Sequence, residues 1–76
     1  MMTDRKKFRT VIASLPSREK CVCEIYYNHT QWAEISNKEG KIVIQFYPPP
    51  LNDFWEFSLD AALEVLNNAK NQFFGS

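Results

Sequence analysis

The residues best suited to metal binding or nucleophilic chemistry are Cys21, Cys23 and His29. Two thiolates and one imidazole fall short of the four ligands of a structural zinc site, and the sequence has no further cysteine pair. The i, i+2 spacing of the cysteines points both sulfurs to one side of a strand, where a disulfide would close almost no loop. We therefore expect two small thiols packed in a core, with neither a metal nor a cofactor.

Acid–base chemistry has one further candidate pair, Glu24 and Glu34. In the strand register predicted below these carboxylates face each other across a hairpin, as pairs that act as acid and base do. Opposed like charges are also simply unfavourable in a sheet, and a nearby arginine would relieve them. His29 falls at the hairpin tip with no serine or cysteine fixed beside it, and no nucleotide-binding fingerprint is present. The sequence therefore predicts no catalytic residue and no enzyme.

The length and composition indicate one small globular domain covering residues 1–76. The chain is 45% apolar and 24% charged, which is typical of a soluble protein. A domain of this size buries only about 60% of its unfolded surface, so its stability should amount to a few kcal/mol and association would increase it. No apolar run is long enough to span a bilayer, and no cleavable signal peptide is recognisable. Free cysteines then favour a cytoplasmic location.

Charge is distributed unevenly although it sums to zero. Residues 1–20 carry six basic and two acidic side chains, and residues 21–76 carry three basic and seven acidic ones. The basic residues nearest the start are Arg5, Lys6, Lys7 and Arg9. A zero net charge argues against a strongly cationic nucleic-acid binder, whereas a basic end is suited to steering an anionic partner or to docking on the acidic body.

Two helices are predicted from apolar residues at helical spacing. A short amphipathic helix is expected over residues 3–15, because Pro16 must end it. The C-terminal helix begins after Ser58, a suitable N-cap, and its apolar stripe ends near Gly75.

Alternation of period two predicts a four-stranded antiparallel meander between these helices. Its strands are expected over residues 21–27, 31–36, 41–47 and 54–57. Loops of three, four and six residues keep one set of apolar side chains together under the C-terminal helix. That register pairs Ile25 with Ala33, Ile35 with Ile42 and Phe46 with Trp55. The fold class is therefore α+β, in the order α-β-β-β-β-α.

The opposite face of this sheet is expected to be aromatic. It would carry Tyr26, Trp32, Tyr47 and Phe54 among glutamates, whereas a solvated face is mostly polar. The cover would be either the first helix or another molecule, which could be a second copy or a partner protein.

Two nucleic-acid-binding families share parts of this order. The helix, strands, helix arrangement resembles double-stranded-RNA-binding domains, but the segment Ser58-Leu59-Asp60 is acidic where those domains carry lysines. Four strands followed by a helix is similar to single-stranded-DNA-binding coactivator domains, in which aromatic side chains on a basic sheet stack on bases. Here glutamates lie among the aromatic residues, and the likeness covers topology alone.

We therefore expect a cytoplasmic, non-enzymatic regulatory module that binds a protein partner or a second copy of itself. The expected anchors are Tyr26, Trp32, Tyr47 and Phe54, because large aromatic residues supply much of the energy of interfaces. Arg5, Lys6, Lys7 and Arg9 would steer the association. The alternative is a nucleic-acid-binding protein that uses this basic segment. No membrane and no small-molecule substrate is inferred.

Overall fold

A four-stranded antiparallel sheet with one helix packed on it forms the fold. The computed structural model describes residues 6–14 and 21–75, and the strands lie in the order β1-β2-β3-β4. The elements are β1 (Phe8–Ser14), β2 (Cys21–Tyr27), β3 (Thr30–Lys38), β4 (Lys41–Phe46) and α1 (Leu59–Phe74). The predicted α+β class, the antiparallel sheet and the C-terminal helix on one face are confirmed.

The first strand occupies residues that were predicted to be helical. β1 pairs with β2 along its whole length, with Phe8 opposite Tyr27 and Ile12 opposite Cys23. Its centre, Thr-Val-Ile, is a run of three β-branched residues, whose restricted χ1 angles favour an extended backbone. The predicted helix over 3–15 is therefore wrong for residues 8–14. Only Lys6 and Lys7 have helical backbone, and the rest of that predicted helix lies outside the described residues.

A tight turn joins β2 to β3, and another joins β3 to β4. The turn residues are Asn28 and His29 in the first, with φ of 49° and 76°, and Glu39 and Gly40 in the second, with φ of 53° and 86°. Two successive positive φ angles are typical of type I′ turns, whose twist matches that of a hairpin. Each turn is therefore two residues long, shorter than the predicted loops.

The shorter second turn moves the strand register without exchanging the faces. Ile25 lies opposite Ala33 as predicted, but Ile35 lies opposite Ile44 and not Ile42. A displacement of two residues preserves the side of the sheet to which each side chain points. Ala33, Ile35, Ile42, Ile44 and Phe46 therefore point to the predicted side of the sheet, which is the side that carries α1.

A bulge in β3 turns Trp32 toward the helix. Ile25 pairs with Ala33 but Tyr26 pairs with Gln31, so Trp32 is the extra residue of the bulge. Its side chain is 7% exposed and belongs to the core cluster. The prediction that Trp32 lies on the face opposite the helix is therefore wrong.

The predicted fourth strand over 54–57 is also absent. Between β4 and α1 the described residues form no strand, and the segment includes a short 3-10 turn at Pro50–Asn52. Trp55 does not pair with Phe46; its indole N–H donates to the backbone carbonyl of Tyr47 over 2.9 Å. The ring of Phe57 packs 5.1 Å from the ring of Trp32. These two residues therefore close one end of the core as a loop, and β1 supplies the fourth strand.

α1 begins after Ser58, as predicted, and covers part of the sheet. The Ser58 hydroxyl accepts a hydrogen bond from the backbone N–H of Ala61 over 3.4 Å. The buried residues of α1 are Ala61, Val65 and Ala69, and two of these three are small enough to allow close approach to the sheet. The helix packs chiefly over β1, β2 and β3, which leaves β4 beside it.

Candidate functional site

The outer face, meaning the side of the sheet opposite α1, is held together by hydrogen bonds between tyrosines and glutamates. The Tyr26 hydroxyl donates to Glu24 over 3.0 Å, and the Tyr47 hydroxyl donates to Glu34 over 3.5 Å. Glu24 and Glu34 face each other as predicted. The guanidinium of Arg9 lies 5.2 Å from the centre of the Tyr26 ring, where it offsets the negative charge. The two tyrosine hydroxyls of this face are therefore each bonded to a carboxylate, and one cation lies close to them.

The hydrogen bond from Tyr26 to Glu24 also changes the acidity of the phenol. A phenol that donates to a carboxylate is stabilised in its protonated form, and this raises the pKa of Tyr26 above its usual value, with smaller contributions from burial and from the charge of Glu24.

Ser36 lies on the outer face and is buried, and its hydroxyl has no hydrogen-bond partner within the described part of the chain.

The four aromatic residues that were predicted to contact a partner do not form one surface. Tyr26 and Tyr47 lie on the outer face, joined to Glu24 and Glu34. Trp32 is in the core on the other side of the sheet. Phe54 lies in the loop before α1 and is exposed. An aromatic patch made of all four is therefore not present.

Most of the predicted basic residues do come together. Lys6, Lys7 and Arg9 line a hollow of about 360 Å³ with Tyr26 and His29. The backbone N–H of Asn28 donates to the carbonyl of Lys7 over 2.9 Å, and this bond holds the start of β1 against the turn between β2 and β3. The fourth predicted basic residue, Arg5, lies outside the described residues. We call this feature the basic hollow.

An apolar groove lies beside α1 and was not predicted from the sequence. The side chains of Ile42, Ile44 and Phe46 point to the same face of the sheet as α1, yet they are between 39% and 56% exposed. The groove has a volume of about 410 Å³. Its lining residues are Ile35, Ile42, Val43, Ile44, Phe46, Leu66, Lys70 and Phe74. We call it the β4 groove.

The two flanks of α1 differ sharply in polarity. On the flank toward β1, the residues Glu64, Asn68, Asn71 and Gln72 line a polar cleft, where the Thr10 hydroxyl donates to the Gln72 amide oxygen over 2.6 Å. Leu66 and Phe74 line the β4 groove on the other flank. The apolar surface of α1 therefore extends beyond what its own sheet covers.

The groove escaped prediction because a sequence pattern does not report where a helix lies across a sheet. The predicted strand over 54–57 would have made β4 an inner strand and given it a neighbour on each side. The available signal was the width of the apolar stripe on α1, which includes Leu59, Leu63 and Leu66 in addition to the small residues that contact the sheet. Such width is more than one packing surface needs.

The two cysteines are free thiols with different surroundings. Cys23 is in the core, and burial, followed by the charge of Glu24, raises the pKa of its thiol. The sulfur of Cys21 is half-buried and lies 3.6 Å from the hydroxyl of Ser14. Among residues 6–14 and 21–75, no three histidine, cysteine, aspartate or glutamate side chains converge as a metal site would need.

No protein-family model, curated protein or solved structure matches this chain. In the described ranges, no helix is long and apolar enough to cross a membrane. The described residues offer three candidate surfaces, the outer face, the basic hollow and the β4 groove, and the groove is the most apolar of the three.

Proposed function

We propose that this chain is a non-enzymatic protein-binding module whose β4 groove receives an amphipathic helix. The observation that carries the proposal is the uncovered apolar face of β4 beside the apolar flank of α1. Grooves of this kind bind a helix through residues spaced three and four apart along it. We place the module in the cytoplasm, where its two thiols would stay reduced.

The dimensions of the sheet support a helix as the occupant. A helix is about 10 Å across and neighbouring strands are about 4.8 Å apart, so one helix covers roughly two or three strands. α1 occupies the width of β1 to β3, and β4 together with the flank of α1 offers room for one more helix.

Burial of the groove residues would stabilise a complex. Ile44 and Phe46 are 39% and 56% exposed. Full burial of a large apolar side chain contributes about 1.5–3 kcal/mol, so the exposed part of each contributes roughly 1 kcal/mol. The ammonium group of Lys70 is suited to the rim, because a lysine stem packs on apolar surface while its charge stays in water.

The outer face is a weaker candidate for the same role. Its two tyrosine hydroxyls already donate to Glu24 and Glu34, and a partner would have to displace or desolvate these groups. Trp32, the largest of the predicted anchors, offers almost no surface to a partner because it is 7% exposed.

Site-specific photo-crosslinking tests the proposal. A benzoyl-phenylalanine in place of Phe46 reports on the groove, and the same residue in place of Gln45 reports on the outer face of the same strand. In cells that express the chain, we expect a covalent protein adduct from position 46, its loss in the additional variant Leu63→Glu, and no adduct from position 45. No adduct at position 46, or equal yields at the two positions, contradicts the proposal.

The second candidate function is nucleic-acid binding, and the basic hollow is the observation that favours it. Lys6, Lys7 and Arg9 line it beside the ring of Tyr26, which combines cations with a surface on which a base could stack. The Glu24 carboxylate bonded to Tyr26 opposes the approach of a phosphate. The groove is therefore the stronger basis for a function.

Salt dependence separates this candidate from protein binding. The logarithm of the affinity for a single-stranded oligonucleotide should fall by about 0.7 per phosphate contact for each tenfold rise in salt. Lys6→Glu with Lys7→Glu should abolish the binding, whereas the same reversal of the exposed Lys38 and Lys41 at the opposite hairpin should not. An affinity that does not change with salt eliminates nucleic acid as the partner.

A further inference from the structure

We propose that the helix received by the β4 groove is α1 of a second copy, so that two chains form an antiparallel, two-fold symmetric dimer. This inference rests on the proposed function, because it names the occupant of the same groove. The β4 groove and the apolar flank of α1 are adjacent on one molecule. Two copies related by a two-fold axis can therefore each place α1 in the groove of the other, and the assembly is then complete as a dimer.

α1 carries a second seam with the spacing of helix–helix contacts. The sheet-facing seam consists of Ala61, Val65 and Ala69. The second seam follows at steps of four, three and four residues, through Leu59, Leu63, Leu66 and Lys70. This alternation is the a/d pattern by which helices interlock. Leu59 and Leu63 are 73% and 55% exposed, so most of their surface in this seam contacts no other part of the single chain.

The apolar area is sufficient for a reversible dimer. The exposed apolar residues of the groove and the second seam are Ile42, Ile44, Phe46, Leu59, Leu63 and Phe74. They present roughly 600 Å² if a fully exposed large apolar side chain offers about 200 Å². Two copies that buried all of this area would remove about 1,200 Å² from water, which exceeds the roughly 1,000 Å² expected of a specific interface and lies at the lower end of the stable ones.

The charges of α1 fit a second α1 in antiparallel orientation. The charged residues of the helix are Asp60 and Glu64 in its first half and Lys70 in its second. Antiparallel a/d packing that sets Leu63 against Leu66 of the second copy brings Lys70 beside Asp60 of that copy, at both ends of the interface. Parallel packing would set the two Lys70 ammonium groups against each other, which is unfavourable.

Analytical ultracentrifugation of the full chain over about 1 µM to 1 mM tests the dimer. We expect a reversible monomer–dimer equilibrium with a dissociation constant of about 1–100 µM. Leu63→Glu should raise it at least tenfold, because the seam would then bury a charge. Asn68→Glu, on the polar flank of the same helix, is the matched control and should leave it unchanged. Circular dichroism checks that each variant keeps its helix.

A charge exchange tests the orientation. Lys70→Glu and Asp60→Lys should each weaken the dimer, and the double variant should restore the affinity toward that of the original chain. A parallel or unrelated arrangement gives no such restoration.

The outcomes distinguish the dimer from the proposed function. A chain that stays monomeric at 1 mM refutes the second copy as occupant; if the crosslinker at Phe46 then captures a different protein, the groove remains a binding site for that protein. A monomer without any adduct at Phe46 refutes both proposals. A dimer that is insensitive to Leu63→Glu refutes this interface and points to the free edge of β4 or the outer face.

Discussion

Truncation of Trp32 is the most direct test of how the sheet is built. The side chain is 7% exposed, and its ring centre lies 5.5 Å from Phe8, 5.3 Å from Phe46 and 5.1 Å from Phe57. Replacement of a buried tryptophan by alanine costs about 3–5 kcal/mol, because the lost contacts and the cavity add together. A domain of this length has a total stability of about 4–11 kcal/mol. Trp32→Ala should therefore leave the folded state marginal or abolish it.

Urea unfolding followed by far-ultraviolet circular dichroism measures this loss. Phe54→Ala is the matched control, because Phe54 is 71% exposed and its truncation should change the free energy of unfolding by no more than about 0.5 kcal/mol. Trp32→Phe keeps an aromatic ring in the cluster and should give an intermediate value. This milder variant keeps the comparison measurable if Trp32→Ala does not fold.

Equal unfolding midpoints for Trp32→Ala and Phe54→Ala would refute the bulge. In an unbulged β3, Trp32 would point to the outer face and its truncation would remove little packing. The experiment therefore decides between two strand phases that place the same residue on opposite sides of the sheet.

Three further experiments, two with substitutions and one on the native protein, test other contacts of the fold. Because the pKa of Tyr26 is raised in the folded chain, the hydrogen bond to Glu24 stabilises that chain fully below about pH 10, the ordinary phenol value, and this stabilisation is lost as the pH rises through the folded-state pKa. Urea unfolding between pH 8 and 11.5 should therefore show a smaller alkaline loss of unfolding free energy for Tyr26→Phe than for the original chain. Identical pH profiles of the two proteins would contradict the hydrogen bond. In native protein, iodoacetamide followed by mass spectrometry should label Cys21 well before the buried Cys23, and equal rates would show that the core opens freely. Ser36→Ala should raise the free energy of unfolding by roughly 1 kcal/mol, since it removes a buried hydroxyl without a partner among the described residues, and a loss of stability would mean that this hydroxyl is bonded.

The sequence was sufficient for features that depend on local patterns. In the hairpin of β2 and β3 the pairing of Ile25 with Ala33 was predicted correctly, although the predicted loop was one residue too long, because the bulge at Trp32 compensates for that residue. The C-terminal helix was predicted from its stripe, from Ser58 as its N-cap and from Gly75 at its end, where the glycine N–H donates to the carbonyl of Asn71.

β1 was missed because its apolar positions fit the spacing of a helix better than the alternation of a strand. Phe8, Val11 and Ile12 are spaced as on one side of a helix, whereas in β1 Phe8 and Ile12 lie on the α1 side of the sheet and Val11 lies on the outer face. This segment is a strand because it pairs with β2, and the pattern of residues 3–15 alone contains no information about that partner strand. The β-branched run at its centre was the local signal that favoured a strand.

Trp32 and the β4 groove were missed for reasons of three-dimensional placement. A bulge adds one residue to one strand, and every phase argument that assumes an unbroken ladder then assigns the wrong side beyond it. The groove depends on where α1 lies across the sheet, and this position follows from the packing of small residues such as Ala61 and Ala69 against β1 to β3. Of the predicted binding residues, Lys6, Lys7, Arg9 and Tyr26 are adjacent in the fold.

The edge position of β4 has a consequence for the behaviour of the chain when it is stressed. Residues 42–47 read Ile-Val-Ile-Gln-Phe-Tyr, an uncharged segment of high β-propensity, which is the composition of segments that form amyloid spines. Within residues 6–14 and 21–75, β4 pairs with β3 alone, so its other edge offers the backbone of this segment to strand addition. The three prolines that follow the segment at 48–50 prevent a growing ladder from extending further along the chain. Lys41, at its other end, adds a charge that stacked copies would repel. Heating or truncation that separates β4 from β3 would therefore expose six residues whose composition favours fibril formation.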